Sequence, residues 1–175
     1  KQVALSDILP ADKIKELSVQ KQDRPARFNA ICHELFEPDL IFCHLKVKDK
    51  KSLLSMLCNK LVDKGYVTKK YFKTVMEREN MTPTSIGNGV AIPHGDTQEV
   101  NTAKIVIATL DKPILWDSKY VDVVFLLVVK FSTDFEIRRT QQFYKQYIKL
   151  VDGDEQVSIL RGFTSNIDFY RFLIQ

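Results

Sequence analysis

Ser85-Ile-Gly-Asn-Gly-Val-Ala-Ile-Pro-His94-Gly-Asp96 is the stretch that carries the strongest structural signal in this chain of 175 residues. Residues 90–92 form a short apolar run that predicts a buried strand, and Pro93 should end it because proline cannot donate to a strand ladder. The flanking glycines allow positive φ angles and a close approach by another group. The pattern therefore predicts that His94 lies at a strand end, in a loop that a partner can reach.

Outward from this motif, apolar runs predict the other strands of a sheet. Residues 104–110 are rich in β-branched side chains, and a further strand is predicted over residues 40–47. Residues 121–129 form a nearly continuous apolar run, which is typical of a central strand covered on both faces. Pro113 and Trp116 are predicted to lie in the connection between two of these strands.

Apolar residues at helical spacing predict the helices. One helix should begin after the N-cap residue Asp49 and end at Gly65, and Thr68 should cap the next one. The other predicted helices cover residues 26–35, 135–151, 154–162 and 167–173. Helices combined with a buried central strand predict an α/β fold in which helices flank the sheet.

Composition limits the classes of function. The chain has a net charge of +4 and is 45% hydrophobic, which indicates a folded core rather than disorder. No apolar run approaches the length of a membrane span. The densest basic cluster is typical of a solvated helix start, and direct nucleic-acid binding is therefore not expected. This cluster consists of Lys46, Lys48, Lys50 and Lys51.

The three cysteines fit no metal-ligand spacing, and each lies in or beside apolar sequence. They are Cys32, Cys43 and Cys58. We interpret them as small buried side chains of a protein from a reducing, cytoplasmic compartment, and no metal site is expected.

A longer pattern around the histidine resembles a known family. Arg78-Glu79, followed by residues 83–95, is similar to the phosphohistidine motif of fructose/mannitol-type enzyme IIA domains. Those domains belong to the bacterial phosphoenolpyruvate-dependent sugar phosphotransferase system. The resemblance runs from about Leu35 to the C-terminus. It implies a central mixed sheet flanked by helices on both faces, His94 as the phosphoryl acceptor, and no cofactor.

Phosphoryl transfer to histidine requires one free imidazole nitrogen and a hydrogen bond that fixes the other. Donors around the imidazole would stabilise the added charge. Asn88 and Gly89 offer backbone N–H groups, and Thr84 and Ser85 offer hydroxyls. Arg78 offers a guanidinium that can bind two phosphate oxygens, and the resemblance supports that role. The neighbouring glutamate, at position 79, is expected to be a solvated carboxylate on a helix surface.

The chain departs from the family pattern at one position. Transporting enzyme IIA domains of this type usually carry a second histidine near the start of the helix after the long apolar strand. Residues 130–142 contain no histidine, although Arg138 or Arg139 would place a positive charge in that region. His33 and His44 precede the motif, and we interpret both as structural.

Three functions remain open at this point. The first is a regulatory domain of a sugar-responsive transcription regulator or antiterminator, phosphorylated by the phosphocarrier protein of the system. The second is a sugar-specific enzyme IIA that passes phosphate to an enzyme IIB, and the third is a degenerate interaction domain. Residues 1–34 are interpreted as an extension or linker from upstream domains of the same polypeptide, as in regulators that carry such a domain at the C-terminus, and the start at a residue other than methionine agrees with this. Residues 35–175 are the predicted enzyme IIA-like domain.

Overall fold

The computed structural model describes residues 27–175 and contains a mixed sheet of five strands. The strand order is β1-β4-β5-β3-β2. β1 is parallel to β4 and β3 is parallel to β5, whereas the β4–β5 and β2–β3 pairs are antiparallel. The predicted mixed sheet is therefore confirmed. The strands are β1 (Ile41–Leu45), β2 (Ser85–Gly87), β3 (Val90–Ala91), β4 (Lys104–Trp116) and β5 (Lys119–Val128).

Within residues 27–175, five α-helices flank the sheet, and three of them begin at a side-chain cap. Asp49 caps the first of them, since its carboxylate accepts a hydrogen bond of 2.7 Å from the Ser52 N–H. The second helix begins later than predicted, three residues after Thr68. The helices are α1 (Lys50–Asp63), α2 (Tyr71–Met81), α3 (Asp134–Val151), α4 (Asp154–Arg161) and α5 (Asn166–Ile174). Short 3-10 helices cover Ala30–Leu35, Pro38–Leu40 and Thr97–Glu99.

Among the described residues, the sheet separates two apolar cores. On β5, alternate residues point to opposite faces, because side chains alternate along a strand. One face of β5 packs with α1 and α2, and the other packs with α3, α4 and α5. β5 is thus covered on both sides, as its apolar run predicts. The prediction of helices on both faces is confirmed.

Two connections differ from the prediction. β4 continues through Pro113 and Trp116 instead of ending near residue 110. Its pairing with β5 is irregular between Thr109 and Ile114, and such an irregularity accommodates a proline that cannot donate to the ladder. Burial of the Trp116 ring extends the hairpin beyond the apolar run. β2 was not predicted, because its three residues are too few to show alternation.

The N-terminal part of the described chain packs on the α3 side of the sheet. Phe28 and Cys32 are fully buried there, and the Phe28 ring stacks on Phe143 at 5.3 Å. Both residues lie in the predicted extension, yet they pack with the folded unit. The helix predicted from residue 26 is a 3-10 helix over Ala30–Leu35. Residues 1–26 lie outside the described part of the chain.

No helix within residues 27–175 has the length and hydropathy needed to cross a membrane.

Candidate functional site

His94 lies directly beyond β3, against the neighbouring strand β5. It forms an isolated parallel bridge with Leu127, whose N–H donates to the Pro93 carbonyl at 2.9 Å. On the other side, the Ile92 N–H donates to the Thr84 carbonyl at 3.1 Å. The imidazole is half-buried. The sheet therefore presents His94 at a strand end, which is the placement that the sequence motif predicts.

One ring nitrogen of His94 makes a hydrogen bond with the backbone. Nδ1 lies 3.3 Å from the carbonyl oxygen of Ile92. A carbonyl oxygen can only accept a hydrogen bond, so this contact assigns the proton of the neutral imidazole to Nδ1. Nε2 then carries the free lone pair, and it has no hydrogen-bond partner among the described residues.

Gly95 allows the His94 loop to lie directly against α2. A Cβ at this position would come within 2.6 Å of the Thr74 hydroxyl and 2.8 Å of the Tyr71 ring. The next residue, Asp96, donates its N–H to the same Thr74 hydroxyl at 2.9 Å. The backbone after His94 is therefore held between β5 and α2, and glycine is needed because no side chain fits there.

Replacing Gly95 by alanine is expected to destabilise the chain by about 1–3 kcal/mol, because an extra methyl group in a packed site forces its neighbours apart. The same shift should displace His94 and slow any reaction at its imidazole. Gly162→Ala is the control, since its Cβ would approach no atom closer than 3.3 Å. Thermal unfolding of both variants measures the difference, and equal melting temperatures would contradict this account of Gly95.

Arg78 lies on the side of α2 that faces the His94 loop. Positions three and four residues apart share one face of a helix, so Arg78 follows Thr74 on the surface that contacts Gly95 and Asp96. Its guanidinium donates to the Thr82 carbonyl at 3.1 Å. No carboxylate pairs with it within residues 27–175, and most of its N–H donors remain available for an anion.

Thr84 and Ser85 lie beside the strand that leads to His94. Thr84 is buried, and its hydroxyl donates to the Glu79 carboxylate instead of pointing to an incoming phosphate. Ser85 is half-buried and pairs with Ala91 across the β2–β3 hairpin. The structure thus brings both residues near the base of the loop, with the Thr84 hydroxyl already engaged.

Asn88 and Gly89 lie at the other end of the β2–β3 hairpin. The Gly89 carbonyl accepts from the N–H groups of Asp122 and Val123 at 2.9 and 3.0 Å. Val123 precedes Leu127 by four residues on β5, which corresponds to about 13 Å. The structure therefore does not bring this turn together with His94. Both residues have positive φ angles of 55° and 77°, as a tight hairpin turn requires.

Glu79 has a role that the sequence analysis missed. The residue is 1% exposed, and its carboxylate accepts from the Thr84 N–H at 3.2 Å and from the Trp116 indole at 3.1 Å. The Thr84 hydroxyl and the Lys50 ammonium, at 3.9 Å, complete the contacts. Glu79 thereby joins α2 to the strand beside His94. Glu79 follows buried Val75 by four residues, and this spacing was the sequence signal that places it on the buried face of the helix.

The region of the missing second histidine forms the loop after β5 and the first turns of α3. Arg138 is exposed, whereas the Arg139 guanidinium lies 5.4 Å from the Phe135 ring and 4.0 Å from the Glu34 carboxylate. Neither arginine makes a hydrogen bond or ion pair with His94. The suggested replacement charge is therefore not in contact with His94 in this structure.

The other two histidines have backbone partners. His33 Nε2 lies 2.7 Å from the Phe28 carbonyl, and His44 Nε2 lies 2.8 Å from the Arg161 carbonyl. Both contacts agree with a structural role. Among the described residues, no group of three or more histidine, cysteine and acidic side chains is arranged to hold a metal ion.

Comparison with curated proteins gives matches of two kinds. The transcriptional regulator ManR of Bacillus subtilis is 32% identical over 136 residues, which cover 78% of this chain and 20% of ManR. The probable licABCH operon regulator of the same organism is 29% identical, over 80% of this chain and 20% of its own length. A mannitol-specific phosphotransferase enzyme IIA component of Staphylococcus aureus is 35% identical, over 52% of this chain and 65% of its own length. The chain thus spans about a fifth of the length of the two regulators.

Solved structures of similar fold include two of mannitol enzyme IIA. The mannitol IIA structure from Escherichia coli has a TM-score of 0.63 at 19% identity and covers 77% of this chain and 98% of its own. A complex of the Escherichia coli enzyme IIAMTL with phosphorylated enzyme IIBMTL gives a TM-score of 0.64 at 19% identity, covering 77% of this chain and 96% of that one. These likenesses support the fold assignment.

The family model described as "Phosphoenolpyruvate-dependent sugar phosphotransferase system, EIIA 2" matches residues 34–175. This match covers the sheet, both helical layers and the His94 loop. The chain therefore belongs to the type 2 enzyme IIA family of the phosphoenolpyruvate-dependent sugar phosphotransferase system.

Proposed function

We propose that His94 accepts a phosphoryl group on Nε2. The observation that carries this proposal is the contact of Nδ1 with the Ile92 carbonyl, which in the neutral imidazole leaves the Nε2 lone pair free on a half-buried ring at a strand end. A nucleophilic imidazole needs this combination of one fixed and one free nitrogen. Membership in the enzyme IIA family supports the same assignment.

The transfer needs little chemistry from the protein beyond positioning and charge stabilisation. The Nε2 lone pair forms a bond to phosphorus, and the bond from phosphorus to the donor atom of the carrier breaks. Its electron pair stays with the carrier, while Nδ1 keeps its proton and its contact with Ile92. Arg78 is the cation best placed to bind the phosphoryl oxygens, because it lies on the face of α2 that borders the loop.

The phosphoryl donor in this proposal is the phosphocarrier protein of the sugar phosphotransferase system. Exposed aromatic residues support contact with a protein partner. Phe131 is 50% exposed and Phe135 is 47% exposed, and both follow shortly after Leu127, which bridges His94. Exposed apolar side chains close to a reactive group are common at sites of protein association.

The biological role that we propose is that of a cytoplasmic regulatory module within a longer transcription regulator. The two regulators match 78% and 80% of this chain, whereas the mannitol component matches 52%. Phosphorylation would add a charge of about −1.5 to −2 and change how the module contacts its neighbours. Transport is the second candidate, and the 35% identity to the mannitol component is the observation that favours it.

Incubation with phosphoenolpyruvate, enzyme I and the carrier protein tests this function. We expect one phosphoryl group per chain, located on Nε2 by 1H–15N correlation spectra of the histidine ring. An enzyme IIB is then added, and slow loss of the label is expected for a regulatory module. Rapid passage to enzyme IIB would instead favour the transport candidate, and absence of any label would contradict both.

A further inference from the structure

We propose that Tyr71 is a positioning residue for His94, acting through the backbone on both sides of the imidazole. This inference rests on the proposed function, because it concerns the readiness of His94 to react. Tyr71 is the first residue of α2, and its side chain is fully buried. It lies between the helix and the strand end that carries His94.

The Tyr71 hydroxyl lies where the His94 segment meets β5. It donates to the Leu127 carbonyl at 3.2 Å, and the Tyr71 ring packs against Gly95, where a Cβ would come within 2.8 Å of it. The Leu127 N–H in turn holds the Pro93 carbonyl at 2.9 Å. Pro93 is therefore tied to Leu127 directly, and Gly95 packs on the phenol ring whose hydroxyl donates to the same Leu127.

The protonation state of Tyr71 suits this role. Burial raises the pKa of its hydroxyl above the ordinary value for tyrosine. The hydroxyl therefore stays protonated at neutral pH and remains able to donate to the Leu127 carbonyl. This donation gives the Leu127 carbonyl a buried hydrogen-bond partner.

The consequence for His94 follows from the short path between the two side chains. Gly95 is the next residue after His94, and the Tyr71 ring would lie 2.8 Å from a Cβ at Gly95. Loss of the hydroxyl would let the backbone at residues 93–95 move relative to β5. The contact between Nδ1 and the Ile92 carbonyl depends on that backbone, and so does the share of imidazole with a free Nε2.

Tyr71→Phe is the test, because it removes the hydroxyl and keeps the ring. We expect the rate of phosphoryl incorporation to fall about 10-fold or more, since small misplacements of a reacting group are costly. The fraction of His94 protonated at Nδ1 should also fall in 1H–15N ring spectra of the unphosphorylated chain. A wild-type rate together with a wild-type tautomer ratio would overturn the inference.

Two controls separate positioning from general stability. Tyr147→Phe should leave both readouts unchanged. This variant removes a buried hydroxyl that lies in the other core and has no hydrogen-bond partner among the described residues. Ile114→Val should cost about 0.5–1.5 kcal/mol in a buried position on the extended β4–β5 hairpin, remote from His94 along the strands. If Ile114→Val reproduced the slower transfer of Tyr71→Phe, the effect would be one of stability and the inference would fail.

The failure of the proposed function can be distinguished from the failure of this inference. A wild-type chain that takes no phosphate would remove the proposed function. The tautomer measurement would still decide whether Tyr71 orients the His94 ring, because it requires no phosphorylation.

Discussion

Replacement of His94 by alanine is expected to lower phosphoryl incorporation by at least about 1,000-fold, because the proposed reaction then has no attacking group. The fold should survive the change. The imidazole is half-buried, and its one described hydrogen bond goes to the Ile92 carbonyl, two residues away. Labelling with radioactive phosphoenolpyruvate, together with a circular dichroism spectrum, measures both expectations.

The chain provides its own control for this experiment. It contains three histidines, and the double variant His33→Gln/His44→Gln leaves His94 as the only one. We expect this variant to keep its label, with some loss of stability from the lost backbone contacts of His33 and His44. Label that persisted in the His94→Ala chain, or that disappeared in the double variant while the fold remained intact, would refute the assignment of His94.

The fold could be predicted largely because long patterns are informative. The apolar run at residues 121–129 predicts a strand covered on both faces, and β5 is buried in that way. Short or tertiary features were not visible in the sequence. β2 has too few residues to show a period, and the extension of β4 past Pro113 depends on burial of Trp116 against the rest of the molecule.

The candidate site was only partly accessible to sequence analysis. The presentation of His94 at a strand end follows from the proline and the apolar run before it. Local sequence does not show how a hairpin turn lies relative to a neighbouring strand. Asn88 and Gly89 were therefore expected near the imidazole. Their carbonyls are instead held by Arg161 at 2.6 Å and by the N–H groups that begin the buried part of β5.

Tyr71 and Glu79 show a second limit of sequence analysis. Both lie on the buried face of α2, where Tyr71, Val75 and Glu79 follow one another at intervals of four residues, although Glu79 was expected to be solvated. Spacing does not reveal the partners of a polar atom within that core. Only the three-dimensional structure shows that the Tyr71 hydroxyl donates to the Leu127 carbonyl and that the Glu79 carboxylate accepts from the Thr84 N–H.

Replacement of Glu79 by alanine is expected to cost about 3–5 kcal/mol of stability, since it leaves the buried donors of its network without an acceptor. Those donors are the Thr84 N–H, the Thr84 hydroxyl and the Trp116 indole N–H, with the Lys50 ammonium at 3.9 Å. A domain of this size is stable by only about 5–15 kcal/mol, so the loss would be a large fraction of the total. Urea unfolding followed by Trp116 fluorescence measures it.

Two further variants test whether the buried network, rather than the helix itself, is responsible for this loss. Glu79→Gln keeps a carbonyl acceptor but loses the charge, and we expect an intermediate cost of about 1–3 kcal/mol. Glu77→Ala removes a 62% exposed carboxylate from the same helix, with its ion pair to Lys73 at 3.9 Å, and should change stability by less than about 0.5 kcal/mol. A Glu79→Ala chain as stable as the Glu77→Ala chain would show that the carboxylate does not hold α2 to the strand beside His94. The ordering Ala, Gln, wild type in increasing stability would instead show that the buried Glu79 carboxylate holds α2 to the segment beside His94, because Thr84 donates to Glu79 and its carbonyl receives the Ile92 N–H.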